Sequence, residues 1–206
     1  MRDGLGGPER GGPRNAPAFP VVALVTSAGG LEALSAVLGG LAADLPAALV
    51  VAQHQDPEGP GLLAGILAAR TRLRVRVADD GDLLEVGTVL VTPPARHLIV
   101  TSAGEVGLLE TGDLPPSRPS ADMLLATLAA TCGPRVLTVV LTGKGHDAQA
   151  GIRAVHRCGG AVFAQDEASS AYFGMPGAAV RTGLVQRTLA LDELASAIGV
   201  HVALTR

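Results

Sequence analysis

Val21-Val22-Ala23-Leu24-Val25-Thr26-Ser27-Ala28-Gly29-Gly30-Leu31-Glu32-Ala33-Leu34 decides how the rest of the chain is read. An apolar, β-branched run predicts a fully buried strand, two glycines break it, and Leu31, Leu34, Val37, Leu38 and Leu41 then recur at helical spacing. A strand that turns sharply into a helix puts its last residues at the carboxyl edge of a sheet. The free amides and the dipole of the following helix favour negative charge there. Ser27 sits on that turn, either as a nucleophile facing waiting amides or as an N-cap serine.

Strand-like runs alternate with helical ones through the remaining sequence. Ala47–Ala52 is a second apolar strand, ending in Gln53-His54-Gln55-Asp56-Pro57. Pro60 stands where a helix start tolerates proline, and Leu62, Leu63, Ile66 and Leu67 supply an apolar stripe. Leu73–Val77 alternates apolar and basic residues, which predicts a half-exposed strand with its arginines in solvent. Three short β-type runs, Thr88–Thr92, His97–Thr101 and Val106–Leu109, predict an antiparallel excursion, and Gly112–Ser120 a proline-rich loop. Ser120 is placed to cap the next helix, through Met123, Leu124 and Leu128. Val136–Leu141 is the most strongly β-forming run and ends in Thr142-Gly143-Lys144-Gly145-His146-Asp147. A helix through Ile152 and Val155, a strand at Ala161–Ala164, helices at Met175–Arg181 and Leu191–Ile198, and a strand at Leu184–Arg187 complete the pattern. The expectation is an α/β fold: a doubly wound, mostly parallel sheet flanked by helices, with a short antiparallel β excursion.

Composition narrows the function. The chain has 206 residues, 48% apolar and 17% charged, enough for one sizeable domain. A net charge of −3 with three Phe, one Tyr and no Trp gives neither the basic footprint nor the stacking surface of a nucleic-acid binder. Lys144 is the only lysine. Cys132 and Cys158 lack metal spacing and are expected to be small buried hydrophobes. No run approaches the ~20 apolar residues of a membrane span, and no secretory h-region follows the first arginines, so a cytoplasmic location without membrane insertion is expected. Residues 1–19, with five glycines and three prolines, predict a flexible tail ahead of a folded domain at 20–206.

In doubly wound sheets ligands bind beyond the carboxyl ends of the strands. Ser27, His54 and Asp147 all fall at such ends, which is the composition of a nucleophile, its base and the group that orients the base. Taken singly, His54 also reads as a loop histidine and Asp147 as a helix N-cap.

Together these segments resemble the catalytic domain of the chemotaxis protein-glutamate methylesterases, the CheB family. The matching stretches are VTSAGG at 25–30, Val51-Ala52-Gln53-His54-Gln55, Leu141 to Ala148, the PP-R-HL run at 93–98, the RPS-D run at 118–122, and Gln165–Ser170 followed by Tyr172 and Gly174-Met175-Pro176. The resemblance implies a Ser-His-Asp hydrolase with Ser27 as nucleophile, His54 as base and acid, and Asp147 as orienting carboxylate. It further implies oxyanion contacts near Ala28, no metal or organic cofactor, and methyl-esterified glutamates (or glutamines) of a chemoreceptor as substrate. It departs from the family pattern at Val25 (usually glycine), Lys144 (usually methionine) and Ala148 (usually glycine). The usual amino-terminal receiver domain is also missing from the match, which implies constitutive activity or a separate regulatory partner. These departures keep open a non-catalytic or substrate-shifted CheB-like binding module. Lys144 is expected to project into solvent, to attract an acidic substrate or to stabilise an oxyanion.

Overall fold

The computed structural model describes residues 16–110 and 117–205. The core is a seven-stranded parallel sheet in the order β3-β4-β2-β1-β7-β8-β9. Its strands are β1 (Val21–Thr26), β2 (Ala48–Gln53), β3 (Arg74–Val77), β4 (Thr88–Val91), β7 (Val136–Val140), β8 (Ala161–Gln165) and β9 (Arg187–Leu189). A separate antiparallel pair joins β5 (Arg96–Val100) to β6 (Val106–Glu110). Among the described residues five α-helices connect the strands, α1 (Gly30–Gly40), α2 (Leu63–Ala68), α3 (Ala121–Cys132), α4 (Gln149–Arg157) and α5 (Gly174–Val180), and a sixth, α6 (Leu191–Leu204), follows β9.

β1 lies at the centre, between β2 and β7, and every one of its residues is buried. Strand side chains alternate between the two sheet faces. Val21, Ala23 and Val25 therefore join the core under α3, α4 and α5, while Val22 and Leu24 join the one under α1, α2 and α6. A continuous apolar run is what burial on both faces demands. The chain leaves β1 toward β2 on one side, and leaves β7 toward β8 on the other. The loops after β1 and β7 diverge, and the crevice between them is the topological switch point.

Several expectations shift in detail. Thr88–Val91 is not part of the antiparallel excursion. It pairs parallel with β2 and β3, because a run buried at every position suits an interior strand, and only β5 and β6 form the excursion. The strand expected at Leu184–Arg187 lies at Arg187–Leu189, where it pairs with β8, and α6 runs on to Leu204. α2 starts at Leu63 rather than near Pro60, leaving Leu62 exposed. Arg76 is not simply solvated: it pairs with Asp82, whereas Arg74 reaches Glu85 at 3.8 Å on the surface. Cys132 is buried as expected, but Cys158 is exposed beyond the end of α4.

Ala16–Phe19, grouped with the tail by composition, lie within the described residues. Pro17 is buried and Phe19 packs on the core beneath α3. The remainder of the expected tail (1–15) and residues 112–116 of the proline-rich loop lie outside the described residues. No helix among the described residues is long and apolar enough to cross a membrane.

Candidate active site

Register brings the three polar residues to one edge. Thr26 pairs with Gln53, and the ladder continues one step further as the His54 N–H donates to the Thr26 carbonyl at 3.0 Å. On the other flank, the Ser27 N–H donates to the Thr142 carbonyl at 3.1 Å, so Ser27 is held between the ends of β2 and β7. Ser27 is not the helix N-cap. That position belongs to Gly29, at φ 78° and with no side-chain cap bond. A Cβ at Gly29 would stand 2.9 Å from the Ala171 Cβ besides requiring a left-handed backbone, so glycine is needed twice over. Val25 imposes no strain, since it lies in regular strand, fully buried between Ala52 and Val140.

Thr142 is the fastener of the nucleophile turn. Its hydroxyl donates toward the Ala28 carbonyl (3.1 Å) and accepts from the Tyr172 N–H (2.9 Å). Its carbonyl also accepts from the buried Thr26 hydroxyl. Gln165, fully buried at the end of β8, accepts the Thr142 N–H at 2.8 Å and donates to the Ser169 carbonyl. The next residue, Gly143, lies so close that a Cβ there would sit 2.9 Å from the Ser27 Cβ and 2.6 Å from the Met175 Sδ. Thr142 and Gln165 stood inside matched motifs, but nothing in the sequence marked them as supports of Ser27.

His54 and Asp147 are in contact. The ring Nε2 lies 2.9 Å from Asp147 Oδ2, with side-chain exposures of 18% and 5%. Asp147 caps a helix, but not its own: the residue before α4 is Ala148. Its carboxylate instead accepts the first two amides of α3, from Ala121 (2.7 Å) and Asp122 (3.1 Å), together with the Ala148 N–H (2.9 Å). Burial alone would raise the Asp147 carboxyl. Hydrogen bonds from His54, Ala121 and Ala148 outweigh it and hold the group below its ordinary value. An ionised Asp147 only accepts, so the His54 Nε2 carries the proton, and in the neutral ring Nδ1 keeps its lone pair. Ala148 adopts φ 86°, a left-handed conformation that costs a residue with a Cβ about 1–2 kcal/mol.

The amino terminus of α3 is itself braced. Ser120 accepts the Met123 N–H, as its capping position predicted, and donates its own N–H to His97 Nδ1 at 2.9 Å. Burial depresses the His97 pKa and the Arg118 charge lowers it further, against the opposing pull of Asp147. His97 is therefore a neutral brace rather than a base.

The Ser27 hydroxyl makes no hydrogen bond among the described residues, and neither do the Ala28 and Gly29 N–H groups. A serine, a free lone pair on an oriented imidazole at the neighbouring strand end, and open amides after the serine form a set suited to acyl transfer. Lys144 is exposed, its Nζ 4.6 Å from the centre of the Tyr172 ring. A hollow of about 330 Å³ opens on the His54 side, lined by Gln55, Ser117, Arg118 and Lys144 among others. A second, of about 480 Å³, opens on the Asp147 side against Asp122, Met123 and His146.

Known proteins resemble this chain in sequence and fold. A 42% identical relative from Moorella thermoacetica matches over 190 residues, 90% of this chain and 45% of its own. One from Anaeromyxobacter dehalogenans is 44% identical over 189 residues, 90% of this chain and 54% of its own. Both are named protein-glutamate methylesterase/protein-glutamine glutaminase, and the chain spans about half the length of these curated relatives. The solved structure of the Thermotoga maritima CheB methylesterase catalytic domain superposes with a TM-score of 0.85 at 28% identity, covering 90% of this chain and all of that one. The CheB methylesterase family model matches residues 22–198, from the strand that carries Ser27 into the last helix, and the chain belongs to that family.

Proposed function

We propose that the domain is a serine hydrolase that removes methyl esters from glutamate side chains of a chemoreceptor and deamidates glutamines at the same site. The observation that carries this reading is the His54–Asp147 pair at the strand ends beside Ser27, with the Ala28 N–H left open. The Ser27 Oγ attacks the ester carbonyl while its proton passes to His54 Nδ1. The imidazolium is stabilised through Nε2–H by Asp147, which stays ionised. The tetrahedral oxyanion falls to the Ala28 N–H, with Gly29 beside it, and one such donor is worth about 3–4 kcal/mol. Methanol leaves with the proton from His54. Water, deprotonated by the same Nδ1, then releases the glutamate carboxylate and regenerates Ser27. An amide substrate follows the same path and releases ammonia.

This use of the ring is reversed from the familiar serine-protease arrangement, in which Nδ1 meets the aspartate. The Asp147 Oδ2 that meets His54 Nε2 also accepts the Ala121 N–H, so the carboxylate is held against the ring by the first turn of α3. Incubation with methylated chemoreceptor fragments and detection of released methanol tests the proposal. Ser27→Ala is expected to lower turnover by about 10⁴–10⁶ with the circular dichroism unchanged. Retained turnover in the purified variant refutes it.

A further inference from the structure

Lys144 and Arg118 have no role in the chemistry above, yet both line the hollow that opens onto His54. Neither forms an ion pair among the described residues. Among the described residues no carboxylate lines that hollow: Asp56 and Glu58 are exposed on the same loop, and the Asp56 carboxylate is turned back onto the Glu58 N–H at 3.0 Å. Nor is Lys144 a free-swinging surface chain. Its backbone is pinned on one side where the Gly143 N–H donates to the Tyr172 carbonyl at 2.9 Å, and its ammonium rests over the Tyr172 ring. Arg118 is half-buried, and its carbonyl holds the Gln55 N–H at 3.0 Å, so the backbone that carries this cation is fixed relative to the His54 loop. Two cations with no ion-pair partner among the described residues, in a chain of net charge −3, form a local reversal of sign beside the reacting group.

The geometry points to a substrate segment that carries free carboxylates next to the esterified glutamate, held by Lys144 and Arg118 at the His54 rim. This rests on the hydrolase reading and names its substrate class: an acidic stretch of polypeptide rather than an isolated ester. The cations act on binding and approach, so the preference resides in KM, not in kcat. A solvent-exposed ion pair contributes a factor of roughly 1.5 to 5. Two cations acting together give an expected preference of about five-fold at low ionic strength, shrinking with added salt.

The test uses two synthetic peptides with one glutamate γ-methyl ester, flanked by glutamates in one and by uncharged serines, which the enzyme cannot deamidate, in the other. Methanol release gives kcat/KM for each. The acidic peptide is expected to be favoured about five-fold through KM. The ratio should fall partway in Lys144→Gln and in Arg118→Gln, collapse toward one in the double variant, and shrink at 0.5 M salt. A wild-type ratio near one overturns the inference. So does a ratio unchanged in Lys144→Gln, or a kcat loss shared equally by both peptides, which would make Lys144 an oxyanion contact instead. If neither peptide is turned over, the hydrolase reading fails separately. Binding of the two labelled peptides to the Ser27→Ala chain, with and without Lys144→Gln, then decides the electrostatic inference by the same ratio.

Discussion

Replacing Asp147 with asparagine changes one oxygen to an amide nitrogen with almost no change in volume, so its effect isolates hydrogen bonding. Oδ1 accepts from Asp122 and Ala148, and Oδ2 accepts from Ala121 and His54. Turned toward Asp122 and Ala148, the asparagine NH₂ faces two backbone donors and both bonds are lost. Turned toward Ala121 and His54, it loses the Ala121 bond and keeps the other only if the ring moves its proton to Nδ1 and Nε2 accepts. Bonds to a charged acceptor are worth about 1.5–3 kcal/mol each, so the net cost at pH 7 is about 1.5–3 kcal/mol. Native domains are stable by roughly 5–15 kcal/mol, so the variant folds. Because the Asp147 pKa is lowered on folding, its contribution is fully present above the unfolded carboxylate value and is lost as pH falls through the folded value. Urea unfolding followed by circular dichroism should therefore show a lower midpoint with an unchanged m-value at pH 7. The gap between the two proteins should narrow below about pH 4. Turnover in the folded variant should drop by about 10⁴, because the amide no longer enforces the tautomer that leaves Nδ1 free. Equal stability at pH 7, or a gap that widens on acidification, would refute the assignment of Asp147 as the ionised acceptor for the α3 amides.

Gly143→Ala pushes a methyl against Ser27 and Met175; methionine yields but the Ser27 backbone does not. A loss of about 1–3 kcal/mol in thermal or urea unfolding is expected, with turnover falling further than stability alone accounts for. The two thiols should separate cleanly with a thiol-disulfide reagent. The exposed Cys158 reacts in the native protein, whereas Cys132, buried and with its pKa pushed up to about 11, reacts only on denaturation. Two fast-reacting thiols in the folded chain would contradict the packing beneath α3.

Much of this was legible in the linear pattern. Val21–Thr26 is apolar throughout because the strand is covered on both faces, and that signature needs no partner to be read. The strand ends were equally legible, which is why Ser27, His54 and Asp147 could be gathered at one edge before any contact was known. Thr88–Val91 was harder, since a short apolar run carries no information about which strand it will join. Cys158 was misjudged because burial at the end of a helix depends on what packs beyond it. The roles of Thr142, Gln165 and His97 were also invisible, as each bonds to a residue twenty or more positions away.

The strand-turn-helix around Ser27, the parallel α/β architecture and the membership of three side chains in one edge follow from the sequence by itself. They depend on hydrophobic period, glycine placement and the direction rule for parallel sheets, all of which act locally or statistically along the chain. Only the tertiary structure decided which side of His54 faces the carboxylate, which helix Asp147 caps, and where Lys144 lies relative to the hollow. Those are set by the approach of α3 and of the loops after β7 and β8, a matter of a few ångströms between segments far apart in sequence.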